Sequence, residues 1–539
     1  MLNRRDILRL AAAGASLAAV PMARAADGTP VRGGHLISIV VPEPQNLGIS
    51  VSNPTIVIAA NVFDGLVTYD EAGKPQPRLA ESFEQSADGR AITFRLRKDV
   101  KWHDGVPFTA ADVKYSILEV VKKTHPRGRG TYAQLEDIET PDDYTAILKL
   151  AKPSPVIWAA LSGSETQILP KHLYEGTDPL TNPWNVKPIG TGAFIFKEWV
   201  RGSHVTLERN PDYWDAGKPY LDRITFKVVP DAGARAAQLE TGEVQYIPLS
   251  PVPLSDVERL AGRKDVVVET RGWEAVSPVF FFDFNLRRKP FDDVRVRRAI
   301  AYAIDRRALA RTVWYGFADP STSPVPASQK QFYAPGLPQY EYDPKKAEAL
   351  LDEAGLKKGP DGVRLRFTHL NHTYGDDFKR SGEFIRQQLK RVGIEVELIN
   401  YDLPTFLRKS YTDYDFDTLN VFYAAFSDPQ LGVQRRFWSK NIQPGSAWSN
   451  ASGYSNPEFD AIVDAAAVEP DEGKRKALLA RLQLIAQTDV PSISLLELKQ
   501  FRVWSSRLKG VDVSPVGVYG TLASAWLEPE AAPAPGKKG

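Results

Sequence analysis

Among the side chains able to do chemistry, His369 and His372 come first: they sit at H-x-x-H spacing, with Asp376 and Asp377 close behind. Imidazoles and carboxylates so grouped are a possible metal-ligand set. Yet "RFTHLNHTYGDD" reads as a strand running into a loop, where residues three apart point to opposite faces. No metal is assigned there. Asp142-Asp143 and Asp292-Asp293 read as turn or cap acids, not as paired catalytic carboxylates. The sequence holds no P-loop, no H-E-x-x-H and no G-x-S-x-G elbow. It also has no cysteine, which excludes disulfides, thiolate metal sites, cysteine nucleophiles and a lipid-modified N-terminal cysteine. Asn450-Ala451-Ser452 fits a glycosylation sequon, discounted because the N-terminus looks like a bacterial export signal. The chain reads as a non-enzyme without a cofactor.

What remains is the chemistry of binding. In "VFYAAFSDPQ", residues 421–430, three rings (Phe422, Tyr423, Phe426) surround Ala424 and Ala425 before an Asp-Pro step. The stretch leads into the basic "LGVQRRFWSKN". A ring-rich, nearly charge-free segment at a strand end is either core or the floor of a pocket. The residues alone leave both open.

Several elements could position such a floor. "HLISIVV", "DRITFKVVPD" and "VRLRFTHLN" read as strands. "ESFEQSADGRAITFRLRKDVKWHDG" reads as a hairpin with its turn at Asp88-Gly89, where Ile92, Phe94 and Leu96 alternate with polar residues. "TAADVKYSILEVV" starts a helix at Thr109, with Asp112 in capping-box spacing. "DDVRVRRAIAYAIDRRALARTVWYG" reads as one strong helix: Val296, Ala299, Ile300, Ala303 and Ile304 share a face, and Arg295, Arg298 and Arg306 lie on the wet side. "DPKKAEALLDEAG" is capped by Asp343 and stopped at Gly355, and residues 457–490 form a helical pair. Helices and strands alternate, which predicts an α/β fold. The Pro/Gly-rich tail "PEAAPAPGKKG" predicts disorder.

The chain's 539 residues are too many for one ordinary core, so two or three domains are expected. Its net charge of +2 comes mostly from Arg4, Arg5, Arg9 and Arg24. Without residues 1–25 it has 64 basic and 65 acidic groups, leaving no basic field for nucleic acid or an anionic membrane. Residues 1–25 themselves read as an export signal: paired arginines in "NRRDILRL", a short apolar core, and Ala23-Arg24-Ala25 as a cleavage site. The Arg-Arg pair is of twin-arginine type, implying export in the folded state. No later segment is long and apolar enough to span a membrane. The expected location is the periplasm, with the protein soluble, monomeric and without a lipid anchor. Methionine occurs only at Met1 and Met22, so the processed chain would be free of sulfur. Avoidance of oxidation, sulfur sparing and compositional drift all fit that fact.

Four blocks together carry a resemblance. "NVFDGLVTYDEAGKPQPRLAESFEQSADGRAITFRLRKDVKWHDGVPFTAADVKYSI", "GTGAFIFKEWVRGSHVTLERNPDYWD", "FNLRRKPFDDVRVRRAIAYAIDRRAL" and "YSNPEFDAIVDAA" occur in order. They resemble the extracellular solute-binding proteins, family 5, of peptide- and nickel-type ABC importers, from about residue 33 to residue 527. The resemblance implies a two-lobed periplasmic binding protein with three domains. Domain I would take residues 26–62, 191–283 and 506–539, domain II residues 63–190 beside it, and domain III residues 284–505. It implies capture of a small organic solute by lobe closure and delivery to membrane permease subunits, which hydrolyse ATP elsewhere. A chelated-metal binder and a periplasmic sensor or chaperone using the same cleft are the alternatives.

In peptide-binding relatives the segment matching "VFYAAFSDP" carries an Asp that pairs with the peptide's α-ammonium. Here the matching position is Ala425, beside Ala424. A buried ammonium without a partner costs several kcal/mol, so the implied guest is not a simple di- or tripeptide. A modified or N-blocked peptide, an opine-like conjugate or an oligosaccharide fits better. On this reading Phe422, Tyr423 and Phe426 form an aromatic wall with a gap at Ala424-Ala425. The same comparison implies further ligand contacts: Val51, Ser52 and Asn53 in a domain I loop, Tyr132 as a lobe-closing tyrosine, and Phe282 and Asp283 facing a side-chain pocket. Asp283 is either a cleft acid for a cationic group or a hinge-proximal hydrogen-bond acceptor. His372 and Tyr374 are expected on a domain III loop at the cleft.

Overall fold

The computed structural model describes residues 28–49, 52–71, 73–125, 127–249, 252–372 and 374–529. The export signal, Val51 and the C-terminal tail therefore lie outside the described residues. Three sheets organise the rest. A seven-stranded sheet has the order 266–269, 502–505, 246–247, 35–40, 223–228, 204–209, 194–200. A four-stranded antiparallel sheet runs 80–85, 91–96, 145–150, 135–142, and a six-stranded sheet runs 318–320, 492–498, 278–284, 418–424, 365–371, 394–400. With helices packed between and over them, the architecture is α/β.

Local patterns explain many elements. The hairpin Ala80–Gln85 and Ala91–Leu96 buries Ile92, Phe94 and Leu96, and Gly89 turns it at φ +69°. The Asp112 carboxylate accepts the Thr109 N–H at 2.9 Å, closing the capping box of Ala110–Tyr115. Asp343 caps Pro344–Glu353, and Asn456 and Asp471 cap the pair Pro457–Ala466 and Glu472–Asp489.

Two expectations are corrected. The single helix from Asp292 is two, Val294–Ala303 and Arg306–Thr312, because Asp305 accepts the Ala308 N–H and caps a second start. Arg306 is not on the wet side: it is buried and donates to the carbonyls of Ser321 and Tyr340. Strand pairing also divides the chain at points other than the expected domain bounds. Strand Pro278–Phe284 pairs with 418–424 and 492–498, so it belongs to the six-stranded sheet and not with residues 191–277. Strand Arg502–Ser505 pairs with 266–269 and 246–247 in the seven-stranded sheet, so the second division precedes it.

Glu497, on strand Ser492–Leu498, accepts the Ala327 N–H with both carboxylate oxygens at 3.0 Å, and burial pushes its carboxyl up to about 7. A carboxyl raised in the folded state stabilises it fully below its unfolded value near 4.5, and that contribution is lost as pH rises through 7. Glu497→Gln should therefore remove a decline of no more than about 2 kcal/mol between pH 4.5 and 7, after allowing for solvent screening. Urea titrations of both proteins at several pH values would show it as a flatter profile for the variant.

The candidate binding cleft

The cleft is built where the three sheet-centred bodies meet. Strand Thr418–Ala424 is central in the six-stranded sheet, flanked by 278–284 and 365–371. Successive side chains on a strand point to opposite faces. Phe422 is half-buried and meets Tyr374 (centroids 5.7 Å apart), His372 (5.3 Å) and Phe378 (5.6 Å). Tyr423 points the other way. It is buried, edge-on to Phe281, and its hydroxyl lies 2.9 Å from that of Tyr411 while donating to the Ser449 carbonyl at 3.1 Å. The expected wall of Phe422, Tyr423 and Phe426 is thus corrected: the strand's alternation separates the first two.

After the strand the chain bends. Ala425 is fully buried and donates its N–H to Val276, while Gly432 packs against it so closely that a Cβ would lie 2.0 Å from the Ala425 oxygen. Half-buried Ala424 packs on the core beneath the seven-stranded sheet. Phe426 takes a left-handed backbone (φ +55°), an uncommon conformation for a ring-bearing residue. That bend sends its ring toward the body of the four-stranded sheet, where the Arg127 guanidinium lies 4.1 Å from its centroid. Leu431 packs on Val156 and Ala160 of that same body.

Arg127 and Glu165 form a buried two-pronged pair at 2.7 and 2.6 Å. Tyr519, from the short turn Gly517–Tyr519, donates to the Asn53 side chain at 2.9 Å. Burial raises the Tyr519 hydroxyl well above its ordinary range, and Arg127, Glu165 and Tyr374 are near enough to act on it. Tyr374 keeps 42% of its surface open, yet burial pushes its hydroxyl up to about 12. Trp448 completes the ring cluster, 6.1 Å from Tyr374 and 5.8 Å from His372. A polar cavity of about 380 Å³ opens nearby, lined by all three bodies through Glu71, Arg271, Glu274, Gln329 and Ser427. Its Arg271 is matched by Glu269 at 2.6 Å.

Other expected contacts fall elsewhere. Tyr132 is buried in the core under the four-stranded sheet, 2.5 Å from the Thr166 hydroxyl, because its ring fills that core. Phe282 is fully buried and stacks on His369 at 4.8 Å. Asp283 is not an open cleft acid: it accepts a hydrogen bond from Arg436 and ion-pairs with it inside the six-stranded body, both side chains buried. Burial raises its carboxyl despite that arginine. Ser52 precedes the helix Asn53–Val62, its hydroxyl 3.0 Å from that of Thr55. His369 and His372 are both buried, and burial holds each imidazole near 3, so neither changes charge at physiological pH. Among the described residues no three His, Cys, Asp or Glu are grouped to hold a metal ion.

Arg127, Glu165, Arg435, Trp448 and Tyr519 were missed from sequence. Arg127, Glu165 and Tyr519 come from segments distant in the chain from the stretch 421–426, whereas Arg435 and Trp448 follow it closely but carry no local signal for a site.

The comparisons agree with this architecture. Residues 74–444 match the model of the bacterial extracellular solute-binding proteins, family 5 Middle. The chain is 28% identical over 465 residues to the dipeptide-binding protein of Escherichia coli (strain K12), covering 82% of this chain and 84% of that protein. Its fold is similar to the oligopeptide-binding protein AppA from Bacillus subtilis in complex with a nonapeptide (TM-score 0.81, 27% identity, 93% and 100% of the two chains). It is also similar to the binding protein AgaA of A. tumefaciens R10 in complex with agropinic acid (TM-score 0.79, 26% identity, 92% and 99% covered). Among the described residues no helix is long and apolar enough to cross a membrane. With the family model spanning well over half of it, this chain belongs to the bacterial extracellular solute-binding proteins, family 5, the substrate-binding proteins of ABC importers.

Proposed function

We propose that this protein captures a small organic solute without a free α-ammonium, grips it between rings as the lobes close, and hands it to a permease in the inner membrane. The carrying observation is the fate of the acids around the cleft. Asp283 is taken by Arg436, Asp428 by Arg475 at 2.7 and 2.9 Å, and Glu165 by Arg127. An ammonium brought beside Ala425 would find these three carboxylates already held by arginines, and displacing one from its partner costs several kcal/mol. The contacts assigned to the guest are Asn53, Tyr374, Phe422, Phe426, Trp448 and Tyr519. Lobe closure transmits occupancy, because a guest touching both lobes binds the closed form more tightly. AppA and AgaA show how widely guests vary on this fold, from a nonapeptide to agropinic acid.

Thermal unfolding with candidate solutes tests the reading. At a hundred times its dissociation constant a guest adds about 2.7 kcal/mol of stability. N-acetylated peptides, opines and oligosaccharides form one panel and unmodified dipeptides the other. The expected result is a raised melting temperature in the first panel and little change in the second. A large shift with Ala-Ala and its unmodified analogues sinks the proposal.

A further inference from the structure

We propose that the guest carries one carboxylate, which docks on the terminal guanidinium nitrogens of Arg435 and faces Arg127 across the cleft. This rests on the capture reading above and names the chemistry of the solute.

Arg435 lies in the short turn Gln434–Arg436, on the body that also supplies Phe422 and Phe426. Its Nε donates to the Gly432 carbonyl at 3.1 Å, and its guanidinium stands 5.6 Å from the Tyr423 ring. Among the described residues its two terminal nitrogens have no acceptor, and no carboxylate lies within ion-pair distance. The neighbouring arginines differ: Arg436 has Asp283, Arg475 has Asp428, and Arg127 has both oxygens of Glu165. Burial, with Arg127 next, brings the Arg435 guanidinium down to about 10, while Tyr423, Tyr411 and Glu165 act the other way.

Charge counting decides the class. Arg127 and Glu165 cancel, so Arg435 leaves one positive charge beside the Tyr423 ring. One surplus cation fits a monoanion, and a planar guanidinium fork matches a carboxylate in two-pronged geometry. The same arrangement couples charge to closure. Arg127 and Arg435 come from opposite lobes, and shutting the cleft empty buries the unmatched Arg435 charge beside an arginine that already has its carboxylate. A carboxylate between them removes that penalty only in the closed form, and such differential affinity is what lets a ligand drive closure.

The test uses the whole chain and a yeast-extract filtrate separated at pH 7 into anionic, neutral and cationic small-molecule fractions. The anionic fraction is expected to raise the melting temperature. Arg435→Gln should need roughly ten- to hundredfold more of that fraction for the same shift, as for loss of a charged hydrogen bond, with Arg435→Lys in between. Unliganded Arg435→Gln should melt within a few degrees of the parent, since it gives up one bond to the Gly432 carbonyl and one ring contact but no ion pair. A strong fall in its melting temperature would make Arg435 a structural cation and overturn the proposal. So would a shift that Arg435→Gln retains. A shift confined to the neutral or cationic fraction removes the carboxylate while leaving solute capture standing. No shift from any fraction removes capture itself.

Discussion

Arg436→Met is expected to lower the unfolding free energy by about 3–5 kcal/mol in denaturant titrations. The substitution leaves the Asp283 carboxylate buried and unpaired, with the side chain only 4% exposed. Burial already raises that carboxyl with the arginine present. Protonation therefore relieves the variant, and its deficit should shrink as pH falls below the raised folded value. The double variant Asp283→Leu/Arg436→Met should recover most of the loss, because a buried ion pair replaced by apolar groups of similar volume is often neutral or better. The surroundings favour this: the Arg436 guanidinium lies 3.6 Å from the Phe281 centroid and 4.6 Å from that of Tyr423, and its Nη1 has no acceptor. A double variant as unstable as the single one would show that the pair holds the strand in some other way.

The second large effect separates Tyr374 from Tyr423. Tyr374→Ala should abolish the solute-induced thermal shift at concentrations that saturate the parent, a loss of about a hundredfold or more in affinity, as expected for an aromatic hot spot. Its effect on the unliganded protein should be small, since much of the ring is open. Tyr423→Phe should do the reverse. It deletes the bond to Ser449 and the contact with Tyr411, costing about 1–2 kcal/mol of stability while leaving solute affinity unchanged. Titration of both variants, with and without solute, reads the two effects separately. Equal loss of binding in both would put Tyr423 back in the cleft and undo the strand-face assignment.

Much of the scaffold was legible because it depends on neighbours in the chain. The caps expected at Thr109 and Asp343 act within three residues. The hairpin at Asp88-Gly89 is set by period-two alternation and one turn. The break at Asp305 was missed because the apolar face runs through it, hiding a second N-cap.

By itself, then, the sequence determined the α/β class, the family, the position of the ring-rich stretch and the lack of an acid at Ala425. These follow from residue identity and short-range periodicity. Only the tertiary structure decided which rings face the guest and which acids are already taken. Phe422 and Tyr423 are adjacent yet lie on opposite faces, and Asp283 meets Arg436 across 153 residues. Charge matching between distant segments depends on where strands cross in space, and no spacing along the chain encodes it. Arg435 becomes a candidate anchor because its neighbours in space supply carboxylates to other arginines.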